Sequence, residues 1–335
     1  MRLMVTDDTT TLSYWLNWRV LLCAILVLTP MAVAFYLIWK YERPTKDSCS
    51  DREALHDERS RILWNDEAWR PCLKEIPPSF LMVYRVIAFC LLLVALSFDV
   101  AVHGGELFYY YTQWTFTLVT IYFGLGSVLS LYGFCKDNRM NNKVNDRIVE
   151  DTEKGLYMPL ACEGTSNGKV GGNLDYKGKS NTPCSAALWC NLFQILFQMT
   201  AGAVMLTDSV YWVVIFPFLS IEDYEMSLLT VLAHSLNLIL LLGDTALNSL
   251  HFPWFRNSYF ILWTGIYVIF EWTIHACLPL WWPYPFLDLS ARYAPIWYLL
   301  AAVLHVPCYS IFALIVKLKE YALSRWYSQS YWCQR

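Results

Sequence analysis

The sequence predicts an all-α, polytopic transmembrane helix bundle of about seven spans, with the N-terminus outside and the C-terminus in the cytoplasm. Two observations carry this expectation. Of the 335 residues, 56% are apolar and only 16% charged, where a soluble domain carries roughly a quarter charged residues. The apolar excess is gathered into runs long enough to cross a bilayer core of about 30 Å. The second observation is that Lys and Arg fall almost entirely on one side of those runs.

Seven candidate spans follow in order: Val20–Trp39, Phe80–Val102, Thr112–Phe134, Leu188–Ile215, Leu228–Ser249, Tyr259–Leu280 and Ile296–Lys317. The first is longer than the apolar core of a secretory peptide and reads as a retained span. Pro30 sits in its middle, where a kink is expected. The fourth is too long for one straight crossing, and Pro217 is expected to end it after an interfacial turn. With seven spans, the segments after spans one, three, five and seven share one face. Those segments hold twenty-one of the 25 Lys and Arg residues, the other face holds three, and Arg85 lies within a span. Such a bias marks the cytoplasmic side.

Outside the spans, residues 1–19 form the extracytoplasmic N-terminus and 318–335 a cytoplasmic tail. Residues 40–79 form a charged cytoplasmic loop containing "DREALHDERSRILWNDEAW". It reads as a solvated helix whose Leu55, Ile62, Leu63 and Trp69 touch the membrane surface. Residues 135–187 are Gly-, Ser- and Asn-rich in part and read as a flexible cytoplasmic loop. The net charge of −3 leaves no basic footprint for nucleic acid. The eleven cysteines contain no CxxC pair. Cys23, Cys90, Cys190, Cys277 and Cys308 read as small hydrophobes, and Cys135 and Cys333 as candidate acylation sites.

Ionisable residues inside spans are costly, and each is a functional candidate. They are Asp99, Asp208, His234, Asp244, Glu271, His275 and His305, extended by His103 just after span two. A rise of about 1.5 Å per residue places Asp99, His103, Thr112, His234, Asn237, Glu271, His275 and His305 in the outer half of the bilayer. Five helices supply them, so one polar pocket near the outer leaflet is expected, with Asp244 deeper. Glu271 and His275 are four residues apart and share a helix face, where the carboxylate could orient the imidazole. Each has a plainer account. Asn191, Gln194 and Gln198 form a stripe that suits interhelical glue. His305 could be a packing residue, and Asp99 and His103 could be solvated at the interface. The aromatic runs "FYYYTQW", "WFRNSYF" and "WWPYPF" suit interfacial belts.

The strings "YYYTQWTFTLVTIYFGLGSVLSLYG", "HSLNLILLLGDTALN" and "WPYPFLDLS" resemble the Rolling stone-like membrane proteins and a group of plant multi-pass proteins. The resemblance runs over spans one to seven, and the central loop has no counterpart. More distantly, spans two to seven resemble the androgen-induced, androgen-dependent membrane hydrolases. That family cleaves esters of hydroxy fatty acids with an intramembrane Thr and His. Gly104, Gly105, Tyr111 and Thr112 match its Gly-Gly-aromatic-Thr pattern with one extra residue, so the resemblance makes Thr112 the nucleophile. In its Asn-His-x-x-His-Thr motif, His234 matches the first His. Asn237 stands at the catalytic His. His275, Trp282 and Tyr284 to Leu287 match a third string. A Thr hydroxyl needs a base, and Asn cannot be one, so His234, His275 or His305 would have to serve.

Three functions follow as expectations. One is a Thr112-dependent lipid-ester hydrolase, with Glu271 orienting the base. The second is a non-enzymatic receptor, scaffold or fusion-type protein, which the Rolling stone-like resemblance implies through its link with myoblast fusion. The third is a metal or haem site built from His103, His234, His275 and His305, although no spacing motif assigns one and no cofactor is expected from the sequence. The expected partners are membrane lipids and a small lipid ligand, and the expected location is the plasma membrane or an endomembrane.

Overall fold

A computed structural model describes residues 9–42, 68–153, 184–219, 231 and 234–331. The elements used below are α1 Trp18–Tyr41, α2 Pro78–His103, α3 Tyr111–Glu153, α4 Cys184–Val210, α5 Leu236–Leu247, α6 Asn257–Cys277 and α7 Ala294–Trp326. Among the described residues, six helices are long and apolar enough to cross a membrane. Four of the seven helices have a local start or stop signal. The Asn17 side chain caps α1 by accepting from the Arg19 amide at 3.2 Å. Pro78 opens α2, and a proline follows Ala294 at the start of α7, where a missing N–H costs nothing. Gly104 closes α2 at φ 74, a conformation that glycine adopts without strain. In sequence, α3 meets no Gly or Pro between Phe134 and Glu153, and α4 starts directly after a proline.

Packing is helix on helix. α2 lies along α3, α3 along α4, and α1 against α6 and α7, while α4 also contacts α6 and α7. α4 is the most enclosed of the six candidate spans and α1 the least. Side-chain contacts gather the helix ends into two groups. At one end, here the N-side, Tyr14 and Arg19 meet Asp288 and Ser290, and Tyr110 meets Trp281 and Tyr284. At the other, the C-side, Glu42 meets Arg256. There, Cys72 bonds to Leu247, Lys74 to Ser330, and Lys319 to the carbonyls of Thr245 and Asn248.

Several expectations change. Span five was expected over Leu228–Ser249. Its described part is the 12-residue helix α5, and residues 220–230 and 232–233 lie outside the described residues. The helix starts at Leu236 because Ser235 is non-helical (φ −140, ψ −38) and the His234 carbonyl accepts from Trp212 Nε1 at 2.9 Å. Span four ends in a π-helical turn over Tyr211–Ile215, followed by one α turn over Phe216–Leu219. Pro217 has no N–H to return to Val213, which loosens that turn. The flexible loop expected from residue 135 is helical through Glu153, because nothing in that stretch breaks the helix. Trp69 does not lie on a membrane surface. It is buried, edge-on to Tyr132 with Lys136 Nζ over its ring. Leu55, Ile62, Leu63, Cys333 and the Gly-rich part of the central loop lie outside the described residues.

Candidate lipid cavity

Two cavities lie in the N-side half, beneath the segment Tyr284–Leu287. One, ≈ 90 Å³, lies between α1, through Leu26, Val27, Pro30 and Met31, and α6 and α7. The other, ≈ 120 Å³, is walled by Tyr111, Tyr211, His234, Tyr267 and Tyr284 among others. Thr264, Val268, Phe286, Leu287, Ala301 and His305 line both. The expected polar pocket is therefore two adjoining cavities with mostly apolar walls and a few polar atoms. Among the described residues no Lys, Arg, Asp or Glu lines either one. Helix rotation explains the change, since sharing a depth does not make residues share a face.

The histidines differ in what their two nitrogens do. His305 Nδ1 lies 2.8 Å from the Ala301 carbonyl. A carbonyl only accepts, so the proton sits on Nδ1 and Nε2 is left as an acceptor. That Nε2 is buried without a partner, and the ring packs on Phe260. His275 repeats the arrangement, with Nδ1 2.8 Å from the Glu271 carbonyl and a buried, unpartnered Nε2. Its ring stacks on Trp282 at 3.8 Å and 8°. Glu271 does approach His275, but its carboxylate is 3.6 Å from Nδ1 and both oxygens lack a hydrogen bond. The backbone, not the carboxylate, orients this imidazole. His234 stacks face to face on Tyr211 at 3.7 Å, an approach that the π turn serves by re-aiming Tyr211.

Thr112 is in the first turn of α3, and its Oγ1 lies 3.4 Å from the Tyr284 hydroxyl. Burial pushes the Tyr284 phenol up to about 12, partly offset by the bond to Thr112, so at neutral pH Tyr284 is an intact O–H. Among the described residues no histidine hydrogen-bonds Thr112. Asn237 is fully buried in the first turn of α5. Asp99 and His103 pair at 2.9 Å on the rim, where the His103 side chain is 51% exposed, and Gln113 donates to Asp99. Neither lines either of the two cavities. The structure thus brings His234, His305 and Tyr284 to one cavity and Thr112 to its edge, and leaves Asp99, His103, Glu271 and His275 outside its walls. Among the described residues no three His, Cys, Asp or Glu side chains gather as a metal-ligating group, so the four histidines form no assembled metal-ligand set there.

The aromatic run also divides. Tyr111 is buried and bonds Thr264 at 2.8 Å, and Trp114 packs among Trp263, Tyr267 and Phe270. These rings form core and cavity wall, whereas Trp18, Trp254 and Tyr293 are exposed, as an interfacial belt requires.

Two polar clusters on the C-side were not foreseen as units. Arg85 Nε is 2.7 Å from Asp244 and its Nη1 reaches the Ala68 carbonyl and Ser130. Tyr122 and Asn248 also donate to Asp244. Arg256 pairs with Glu42 at 2.8 Å and donates to Asn191, Gln194 and Gln198, so the amide stripe is the glue expected of it. The available signal was one cation and one anion inside spans at matching depth. Comparison with protein-family models, with curated proteins and with solved structures found no match.

Proposed function

We propose that the protein is a seven-span integral membrane protein that holds a lipid chain in the paired cavities. One observation carries the reading: a cavity with mostly apolar walls sits behind α1, the candidate span least enclosed by protein, and adjoins a second apolar cavity. An apolar chain entering there leaves one apolar surrounding for another and fills voids whose walls otherwise lack contacts. His305 Nε2 and the Tyr284 hydroxyl offer single polar points of attachment. The seventh crossing is supported by α5, which starts just after His234, stacked on Tyr211, and ends at Leu247, whose carbonyl meets Cys72. Its twelve residues rise about 18 Å. The arginine and lysine bias supports an outer N-terminus. The reading is tested by native mass spectrometry of the purified protein after mild delipidation. Ala302→Trp, which fills the cavity behind α1, should cut lipid retention about tenfold, and unchanged retention rejects the lipid cavity.

The second reading is the Thr112-dependent lipid-ester hydrolase, including its resemblance to the androgen-induced hydrolases. The observation favouring it is the Thr112–Tyr284 contact at the cavity edge. The step it needs is a base within reach of Thr112, and His234 and His305 are the histidines that line the same cavity as Tyr284. A fluorophosphonate probe should label the wild type and not Thr112→Ala. Absent labelling, or equal labelling of both, leaves the non-enzymatic lipid-binding reading alone.

A further inference from the structure

A third cavity differs from the other two. It is polar, ≈ 390 Å³, and is lined by Thr11, Ser13, Tyr14, Asn17, Arg19 and Ser290 among others. Arg19 has five N–H donors. One, on Nη1, goes to the Ser290 carbonyl at 2.8 Å. Its Nε is buried with no partner, and no ion pair forms on Arg19 among the described residues. The nearby acid is already engaged: Asp288 Oδ1 accepts from the Tyr14 hydroxyl at 3.1 Å, the Ser290 amide at 2.9 Å and the Ser290 hydroxyl at 2.7 Å. A guanidinium with a buried N–H and no anion is a group that calls for an acceptor.

Position narrows which acceptor. Arg19 follows Trp18, which is 63% exposed at the start of a candidate span, the level where tryptophans meet headgroups. Seven residues further along α1, about 10 Å by helical rise, Leu26 lines the chain cavity. Headgroup regions add about 5–7 Å on each side of the hydrocarbon core. The spacing from Arg19 to Leu26 therefore matches that from a lipid phosphate to its upper methylenes. The segment Tyr284–Ser290 roofs both sites, with Phe286 and Leu287 facing the chain cavities and Ser290 the polar one.

We propose that the polar cavity seats the phosphodiester of a membrane phospholipid on Arg19, and that an acyl chain of the same lipid runs down α1 into the cavity behind Leu26, Val27 and Pro30. This rests on reading those cavities as a lipid site. The planar guanidinium suits a phosphate through paired N–H bonds, with the Ser13 and Ser290 hydroxyls beside it.

The test uses the full chain in detergent, with dioleoylphosphatidylglycerol and dioleoylglycerol added separately and retention read by native mass spectrometry. The wild type should retain the phospholipid about tenfold over the diacylglycerol. Arg19→Gln should abolish that preference, and Arg19→Lys should restore part of it. A preference that survives Arg19→Gln overturns the headgroup site. Inorganic phosphate at millimolar concentration is the third arm: if it raises the unfolding midpoint as far as the phospholipid does, and only when Arg19 is present, the ligand is free phosphate and the lipid assignment falls. Ala302→Trp separates this failure from that of the chain cavity. Loss of both lipids in that variant supports the shared lipid. Unchanged retention overturns the chain cavity and the shared lipid with it, whatever Arg19→Gln does.

Discussion

Arg85 and Asp244 illustrate what single residues do here. Both are fully buried, 159 positions apart, and each carries further hydrogen bonds, to Ala68 and Ser130 on one side and to Tyr122 and Asn248 on the other. A buried charge loses its solvation, and the partner restores it only when the remaining donors and acceptors are also met. That condition is fulfilled at this pair. Asp244→Asn should therefore lower stability by about 3–5 kcal/mol by leaving the Arg85 charge uncompensated, read as a drop in the unfolding midpoint of the detergent-purified protein. Adding Arg85→Met should recover part of the loss. Strict additivity of the two substitutions would show that the residues do not act as a pair. The sequence marks both residues as costly, but not as partners, because each is costly for the same reason whoever its partner is. The histidines carry the same lesson. Glu271 and His275 are adjacent by helical spacing, yet the proton on Nδ1 goes to a backbone carbonyl, a choice made by the ring's rotamer.

Elements were the most legible level. Long apolar runs locate six of the seven expected spans, since a run of that length has no soluble alternative. Their ends follow from Asn17, Pro78 and Gly104, which act within one helical turn. The exceptions lie at α4 and α5. Pro217 reads as a stop in the sequence, and in the structure a π turn over Tyr211–Ile215 precedes it and one α turn contains it. The apolar run of span five gives no hint that the described helix starts at Leu236, because that start goes with a bond from Trp212 and a stack on Tyr211, both on another element. Gly243 shows a close approach of the same kind: Tyr84 donates to the Leu240 carbonyl at 2.8 Å, and a methyl group on residue 243 would overlap the Tyr84 hydroxyl. α2 and α5 can touch at that level only because the side chain is missing.

For the whole molecule, the two groups of contacts matter most. Tyr14 and Arg19 lie at the N-side, and Ser330 and Tyr331 at the C-side with residues 71–74. The proposed seven crossings put an odd number between them. An epitope at the N-terminus should accordingly be reached in intact cells, and one at the C-terminus only after permeabilisation. Reaching both from the same side rejects the seven-crossing topology. The molecule presents Leu21, Phe35, Val94, Val303 and Leu314 outward, a surface that suits lipid as its solvent.

Composition, the lengths of the apolar runs and the placement of basic residues were enough to predict a helical membrane bundle and which residues would be expensive inside it. Those are properties of the chain read in one dimension. Tertiary structure alone decided which costly residues meet. Successive residues turn about 100° around a helix, so two side chains at one depth can face each other or opposite walls. The rotation of each helix against its neighbours put Arg85 on Asp244, His305 on two apolar cavities, and Arg19 beside a polar one, with no ion pair on its guanidinium among the described residues.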